Sequence, residues 1–207
     1  PRRQAIQDYQ AVKTFNARKL RLVKPFLTKA STFVEFGPGD CNFLMSLCDR
    51  VKIAYGVDVS NQRTQQTAAP DNFRLILYDG YQLEIANASV DIVFSDQLIE
   101  HLHPEDVDLH FGLIRNILKP RGVYVFRTPH RFTGPHDVSC HFSDHPEGFH
   151  LQEWTFSDIE KVLNNTGFFS WWGYWSPKGP CIKLPFSYFT KVERTLDIFP
   201  KQVRKTL

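Results

Sequence analysis

Apolar positions follow two rhythms along this chain. From Gln7 to Lys29, Tyr9, Val12, Phe15, Leu20, Val23, Phe26 and Leu27 recur at helical spacing, broken at Pro25. That spacing predicts an N-terminal helical cover over residues 1–30. Short β-rich apolar runs follow: TFVEF (32–36), KIAYGVDV (52–59), FRLILY (73–78), VDIVFS (90–95) and GVYVFRT (122–128). Stretches that read as helices separate them. CNFLMSLCDR follows the first run, Ser60 can cap a short helix through NQRTQQ, and Glu105 to Leu118 puts Val107, Phe111, Ile114 and Leu118 on one face before Pro120 and Gly122 stop it. Strands that are apolar on both faces and alternate with helices predict a doubly wound α/β fold, its mostly parallel sheet covered by helices on both faces.

The rhythm is lost after position 128. Residues 129–150 carry Gly134, Pro135, Pro146 and Gly148 with five histidines, His130, His136, His141, His145 and His150. A loop of that length inside a compact domain suits a substrate lid. A helix is expected at TFSDIEKVLNNTGF, capped by Thr155 or Ser157 and ended by Gly167. The run FFSWWGYWS (168–176) reads as a strand, packed in the core or lining a substrate wall, and SYFTKVERTLDIF as a last amphipathic segment that could cover a pocket or join two subunits of a homodimer. With 207 residues and a 42% hydrophobic fraction, one domain is expected over 1–207: cover 1–30, core 31–128, lid loop 129–150 and remainder 151–207.

Charge and cysteine usage narrow the function classes. A formal charge of +3 without like-charged blocks gives no argument for a nucleic-acid or membrane surface, and neutral or mildly anionic partners fit equally well. No apolar run approaches the length of a membrane span, and PRRQAIQDYQ lacks the apolar core of a signal peptide. Cys41, Cys48, Cys140 and Cys181 are scattered, which fits a reducing, cytoplasmic setting.

FVEFGPGDCNFLMSL has the form of a strand, a glycine turn and a helix, where Gly37 and Gly39 let the backbone approach a polar or anionic ligand. About twenty residues on, Asp58 ends the next strand and can accept from two ribose hydroxyls. Together they predict a nucleoside pocket at the carboxyl edge of the sheet. Asn42 stands where a dinucleotide fingerprint wants its third glycine, and no Gly-Lys-Ser/Thr ending marks a phosphate loop.

VEFGPGD, GVDVS, YDGYQL, VDIVFSDQLIEHL and LKPRGVYVFRTP, in that order over residues 32–130, resemble class I S-adenosylmethionine-dependent methyltransferases, in particular a bacterial small-molecule subgroup. Cys41 departs from the family's frequent third glycine. The resemblance implies S-adenosylmethionine as cofactor, with Glu35, Gly37 and Gly39 bordering its methionine half. Asp58, with Val59 beside it, would hold the ribose, Asp79 and Gly80 would meet the adenine, and Ser95 and Gln97 would lie near the sulfonium. It also implies O-methylation of a small molecule, a glycan or a lipid-linked intermediate.

A hydroxyl acceptor needs positioning and a base. His101, after the fourth strand, and His130, after the fifth, are placed for this. His136 lies in RTPHRFTGPHDVS, which resembles a substrate-closing segment of the bacterial subgroup. QLIEH with the later HLQEWT is also similar to the metal site of plant-type small-RNA 2′-O-methyltransferases, with Gln97 in place of the first carboxylate. That similarity implies RNA ends as an alternative acceptor and a metal held by Glu100, His101 and His150. The candidate catalytic set is therefore His101, His136 and His150, acting as base or clamp or, for His101 and His150, as metal ligands. His103, His110, His141 and His145 read as surface residues. A non-catalytic S-adenosylmethionine-binding protein is the reading from another class.

Overall fold

The computed structural model describes residues 16–60, 69–175 and 181–200. It divides into two compact units, Pro1–Ser95 with Ile117–Val125, and Asp96–Asn116 with Phe126–Leu207. The short helix expected after Ser60 lies outside the described residues, as does the cover before residue 16.

In the first unit, residues 16–23 are helical (α1) and end at a single 3-10 turn, Lys24–Phe26, where Pro25 occupies an early position that needs no N–H. The strands β1 (Thr32–Phe36), β2 (Ile53–Asp58), β3 (Phe73–Leu77), β4 (Val90–Asp96) and β5 (Leu118–Arg127) form one sheet in the order β3-β2-β1-β4-β5. β1 pairs in parallel with β2 and β4, and β2 with β3. The order reverses beside β1, the switch point where open α/β sheets hold ligands at their carboxyl ends. Val23, Phe33, Phe43, Leu44, Leu47, Ile92 and Phe94 belong to one buried cluster.

The helix expected over 41–50 is two short pieces, α2 (Asn42–Met45) and a 3-10 turn at Cys48–Arg50. The helix expected from Glu105 begins as a 3-10 turn at Pro104–Asp106 and continues as α3 (Val107–Ile117). Pro120 and Gly122 do follow its end, but inside β5, which turns at Arg121 with φ 69°.

In the second unit, Phe111 of α3 meets the rings of Phe126 and Phe168 edge-on. His110, expected at the surface, is instead buried beside Phe111. Its neighbours in the apolar stripe carry it inward, and burial depresses its pKa to about 4. α4 (Phe156–Asn165) starts at a capping box made by Thr155 and Asp158, and Gly167 follows its end at φ 77°. β6 (Trp172–Trp175) pairs antiparallel with β7 (Ile182–Pro185), which leads into α5 (Phe186–Leu196). Trp172 and Trp175 are exposed rather than packed in a core. Gly173 is where α5 presses on β6: a Cβ there would lie 2.2 Å from Phe189.

Candidate active site

Three residues at alternate positions of the turn after β1, Gly37, Gly39 and Cys41, have positive φ (65°, 57° and 59°). Two are glycines, for which this backbone is free. Cys41 takes it at a cost of about 1–2 kcal/mol, set against a fully buried side chain. The start of α2 is already served by Asp40, whose Oδ1 accepts from the Asn42 N–H (3.0 Å) and Oδ2 from the Asn42 amide (2.7 Å). An anionic ligand is therefore not required there. Burial, then the charges of Glu35, Asp40 and Asp58, push the Cys41 thiol up to about 11. That negative surround complements a cation, the charge type of a sulfonium and an α-ammonium.

Glu35 is fully buried and paired with Lys19 of α1 (Nζ to Oε1, 3.1 Å). Lys19 also stands over the rings of Phe43 and Phe94. Asp58, half-buried at the end of β2, accepts from the Ser60 N–H through Oδ1 (3.1 Å), and Val59 beside it is 76% exposed. Asp79 is exposed, and its Oδ1 accepts from the N–H groups of Gln82 and Tyr81, which hold its pKa below the usual carboxylate range. A Cβ added at Gly39 or Gly80 would meet nothing within 4 Å. These two turns leave room for a ligand beside the backbone, with exposed Val59 and Tyr81 as apolar surface for a base. Ser95 is buried against Tyr124, hydroxyl to hydroxyl at 2.8 Å.

In the second unit, Gln97 follows β4 with φ 55°, its N–H donating to the Arg127 carbonyl. Beside it Asp96 takes two bonds from Arg127, Nε to Oδ1 and Nη2 to Oδ2, both 2.7 Å. The next turn carries Glu100 and His101, and there His150 joins them: one ligand atom from each of the three lies within 4.8 Å of the others. The rings of His101 and His150 are 5.1 Å apart and edge-on.

Each member of this cluster is held from behind. Glu100 is fully buried; its Oε2 accepts from the Thr128 hydroxyl (2.9 Å), and its Oε1 has no partner among the described residues. Burial raises its pKa above the usual range, more than Thr128 and the two histidines lower it. His101 Nδ1 bonds the Phe149 carbonyl (2.9 Å), and His150 Nδ1 bonds Glu153 Oε1 (3.0 Å). A carbonyl and a carboxylate accept only, so both rings carry their proton on Nδ1 and leave the Nε2 lone pair free for a ligand. One carboxylate oxygen and two imidazole nitrogens suit a divalent transition metal better than a hard cation, which wants oxygen alone.

His136 is brought to the same carboxylate but not to the cluster. Its N–H and Nδ1 both bond Glu153, and its Nε2 bonds the Thr133 hydroxyl at 3.0 Å, so both ring nitrogens are engaged. His130, on the other side of the loop, gives its Nε2 to buried Glu193 at 2.6 Å. Sequence reasoning missed Glu153, Glu193 and Asp96. Only the Glu of HLQEWT, close to His150, could have been noticed.

Residues 34–126 match the family model described as a methyltransferase domain. Among solved structures, the chain is similar to the methyltransferase in complex with the Haloferax volcanii activator Trm112 (19% identity over 79% of this chain and 73% of that one, TM-score 0.59). It is also similar to S-adenosylmethionine-dependent methyltransferases of Archaeoglobus fulgidus (16%, 79% and 69%, 0.59) and Mesorhizobium loti (17%, 74% and 80%, 0.56). At these identities the likeness shows the fold alone. No curated protein matches.

Strand order, glycine turn and domain match together define a class I S-adenosylmethionine-dependent methyltransferase fold. Residues 34–126 are similar to a methyltransferase domain, and S-adenosylmethionine is the cofactor that this similarity implies. No helix among the described residues is long and apolar enough to cross a membrane.

Proposed function

We propose that the protein transfers the methyl group of S-adenosylmethionine to a hydroxyl oxygen of an acceptor with an apolar body, a small molecule or a lipid-linked intermediate. The observation that carries this reading is the buried Oε1 of Glu100, unpartnered among the described residues, in a cluster with two imidazoles whose Nδ1 atoms are bonded elsewhere. An amine acceptor needs no such group, whereas a hydroxyl must lose its proton. A divalent transition metal held by Glu100, His101 and His150 would make a bound hydroxyl more acidic. In the protein's own terms, Thr128, the Phe149 carbonyl and Glu153 orient the three ligands; in a metal-free site the free Nε2 lone pair of His101 or His150 would instead take the proton that the hydroxyl releases.

The surround of the cluster favours an apolar acceptor over RNA. Phe149 and Leu151 flank His150, are 75% and 52% exposed, and are tied to the cluster by the Phe149 carbonyl on His101 and the Leu151 N–H on the Glu100 carbonyl (2.8 Å). For the donor, Asp58, Asp79 and Gly80, with Gly37 and Gly39, are the residues we assign to the nucleoside and methionine portions.

Labelled methyl donor supplied with panels of hydrophobic alcohols and phenols, of lipid-linked glycans and of RNA oligonucleotides tests the acceptor. Transfer to RNA ends alone would overturn the reading. Calorimetry tests the donor site: Asp58→Ala should weaken S-adenosylmethionine binding by about tenfold or more, since two charge-assisted hydrogen bonds are lost. Elemental analysis after supplementation separates a metal centre from a metal-free base at the same cluster.

A further inference from the structure

Two carboxylates, Glu153 and Asp137, hold the loop around His150, and two glycines fit them. Glu153 is 1% exposed and sits at the centre. Its Oε1 accepts from His150 Nδ1 at 3.0 Å and from the His136 N–H at 2.5 Å; its Oε2 accepts from His136 Nδ1 at 3.1 Å. Asp137 grips the backbone of the same residue, its Oδ2 accepting from the N–H of His150 (3.0 Å) and of Gly148 (3.1 Å).

The glycines answer to space rather than torsion. Gly134 has an ordinary φ of −81°, yet a Cβ there would stand 1.7 Å from Glu153 Oε2. At Gly148 a Cβ would stand 2.6 Å from Asp137 Oδ2. Any side chain at 134 displaces the Glu153 carboxylate, because a buried group cannot swing into solvent without breaking its three bonds.

We propose that Glu153 is a positioning residue that fixes His150 as the Nδ1–H tautomer and so aims its Nε2 lone pair at Glu100 and His101. An imidazole free in water prefers its proton on Nε2, which would remove that lone pair. A carboxylate at Nδ1 reverses the preference, since it can only accept. Glu153 also binds His136, whose remaining nitrogen is closed by Thr133. Ring and backbone of the loop are thereby locked to one acid. The functional value of this arrangement rests on the reading of Glu100, His101 and His150 as the reaction site.

The test uses the full chain with 15N-labelled histidine, where long-range proton–nitrogen spectra report which ring nitrogen carries the proton. In the wild type His150 should be Nδ1–H. Glu153→Met should move His150 toward Nε2–H, and Gly134→Ala should do the same with Glu153 still present. Glu153→Gln separates orientation from charge: its oxygen can still accept from His150, while its amide must donate to His136 Nδ1. His150 should then stay Nδ1–H and His136 should switch to Nε2–H.

Cobalt(II), followed by its visible absorption, gives a second readout. Affinity should fall about 10- to 100-fold in Glu153→Met and change little in Glu153→Gln. An Nε2–H His150 in the wild type, or an unmoved tautomer in folded Glu153→Met and Gly134→Ala, would overturn the proposal. A wild-type protein that takes no cobalt yet shows the Nδ1–H signal would count against the metal reading and leave the assignment of Glu153 standing.

Discussion

Glu100 spends one carboxylate oxygen on Thr128 and leaves the other buried beside two imidazoles. A buried charge without a full set of bonds costs stability, and a group with that cost is kept for what it binds. Replacing it with a neutral isostere should therefore separate function from stability. Glu100→Gln is expected to lower turnover by about 100-fold or more, through loss of the one anionic group in the cluster. In the metal-free protein it should also raise stability by about 1 kcal/mol, a Tm increase of roughly 2–4 °C for a chain of this size. Turnover and thermal unfolding, with and without chelator, check both halves. A Glu100→Gln protein that is both less active and markedly less stable would mean that the carboxylate serves the fold.

Helix α4 shows how an element can depend on an acid far away in sequence. Its first N–H groups have no partners within the helix. Thr155 serves one of them, the N–H of Asp158. Glu193, from α5, takes the N–H groups of Phe156 and Ser157 and the Ser157 hydroxyl, along with His130. Burial alone would raise the Glu193 pKa, but these donors hold it below the usual carboxylate range. Thr155→Ala should cost about 1 kcal/mol, the ordinary worth of a cap. Glu193→Leu strands several buried donors at once and should cost about 3 kcal/mol or more. Urea denaturation of the two variants checks the order, and equal losses would show that α5 does not hold α4.

The same contrast explains what the sequence made legible. Thr155, Asp158 and Gly167 are neighbours along the chain, so α4 could be placed from its caps. The five sheet strands were visible as short apolar runs, and β1 falls on the run TFVEF itself. Glu100, His101 and His150 could be proposed together from motif similarity. Their bonded partners could not, because Thr128, Phe149 and Glu153 carry no periodicity and meet the cluster only through the folded loop. His110 was misread for a related reason. A polar residue beside an apolar stripe is ordinarily solvated, and here the turn of α3 buries it.

At the scale of the whole molecule, buried ionisable groups set how stability responds to acid. His110 has an ordinary pKa near 6.5 when unfolded and one of about 4 in the fold, because burial disfavours its cation. Glu153 and Glu193 are also depressed in the fold: burial raises them, and the donors around each outweigh it. Every one of these groups binds protons more readily when unfolded, so each contributes stability at neutral pH that is lost as pH falls. Their windows differ. His110 acts first, between its unfolded value and about 4, where the shift is worth on the order of 2–3 kcal/mol. The carboxylates follow below their ordinary value near 4.5. Unfolding free energy measured in urea from pH 7.5 to 4.5 should thus decline steadily in the wild type. His110→Phe cannot take up a proton and keeps an aromatic ring in the apolar stripe, so the decline over that range should be lost, leaving the opposing effect of Glu100, whose raised pKa favours the fold as pH falls. A wild-type slope that survives unchanged in His110→Phe would place the acid sensitivity on other groups.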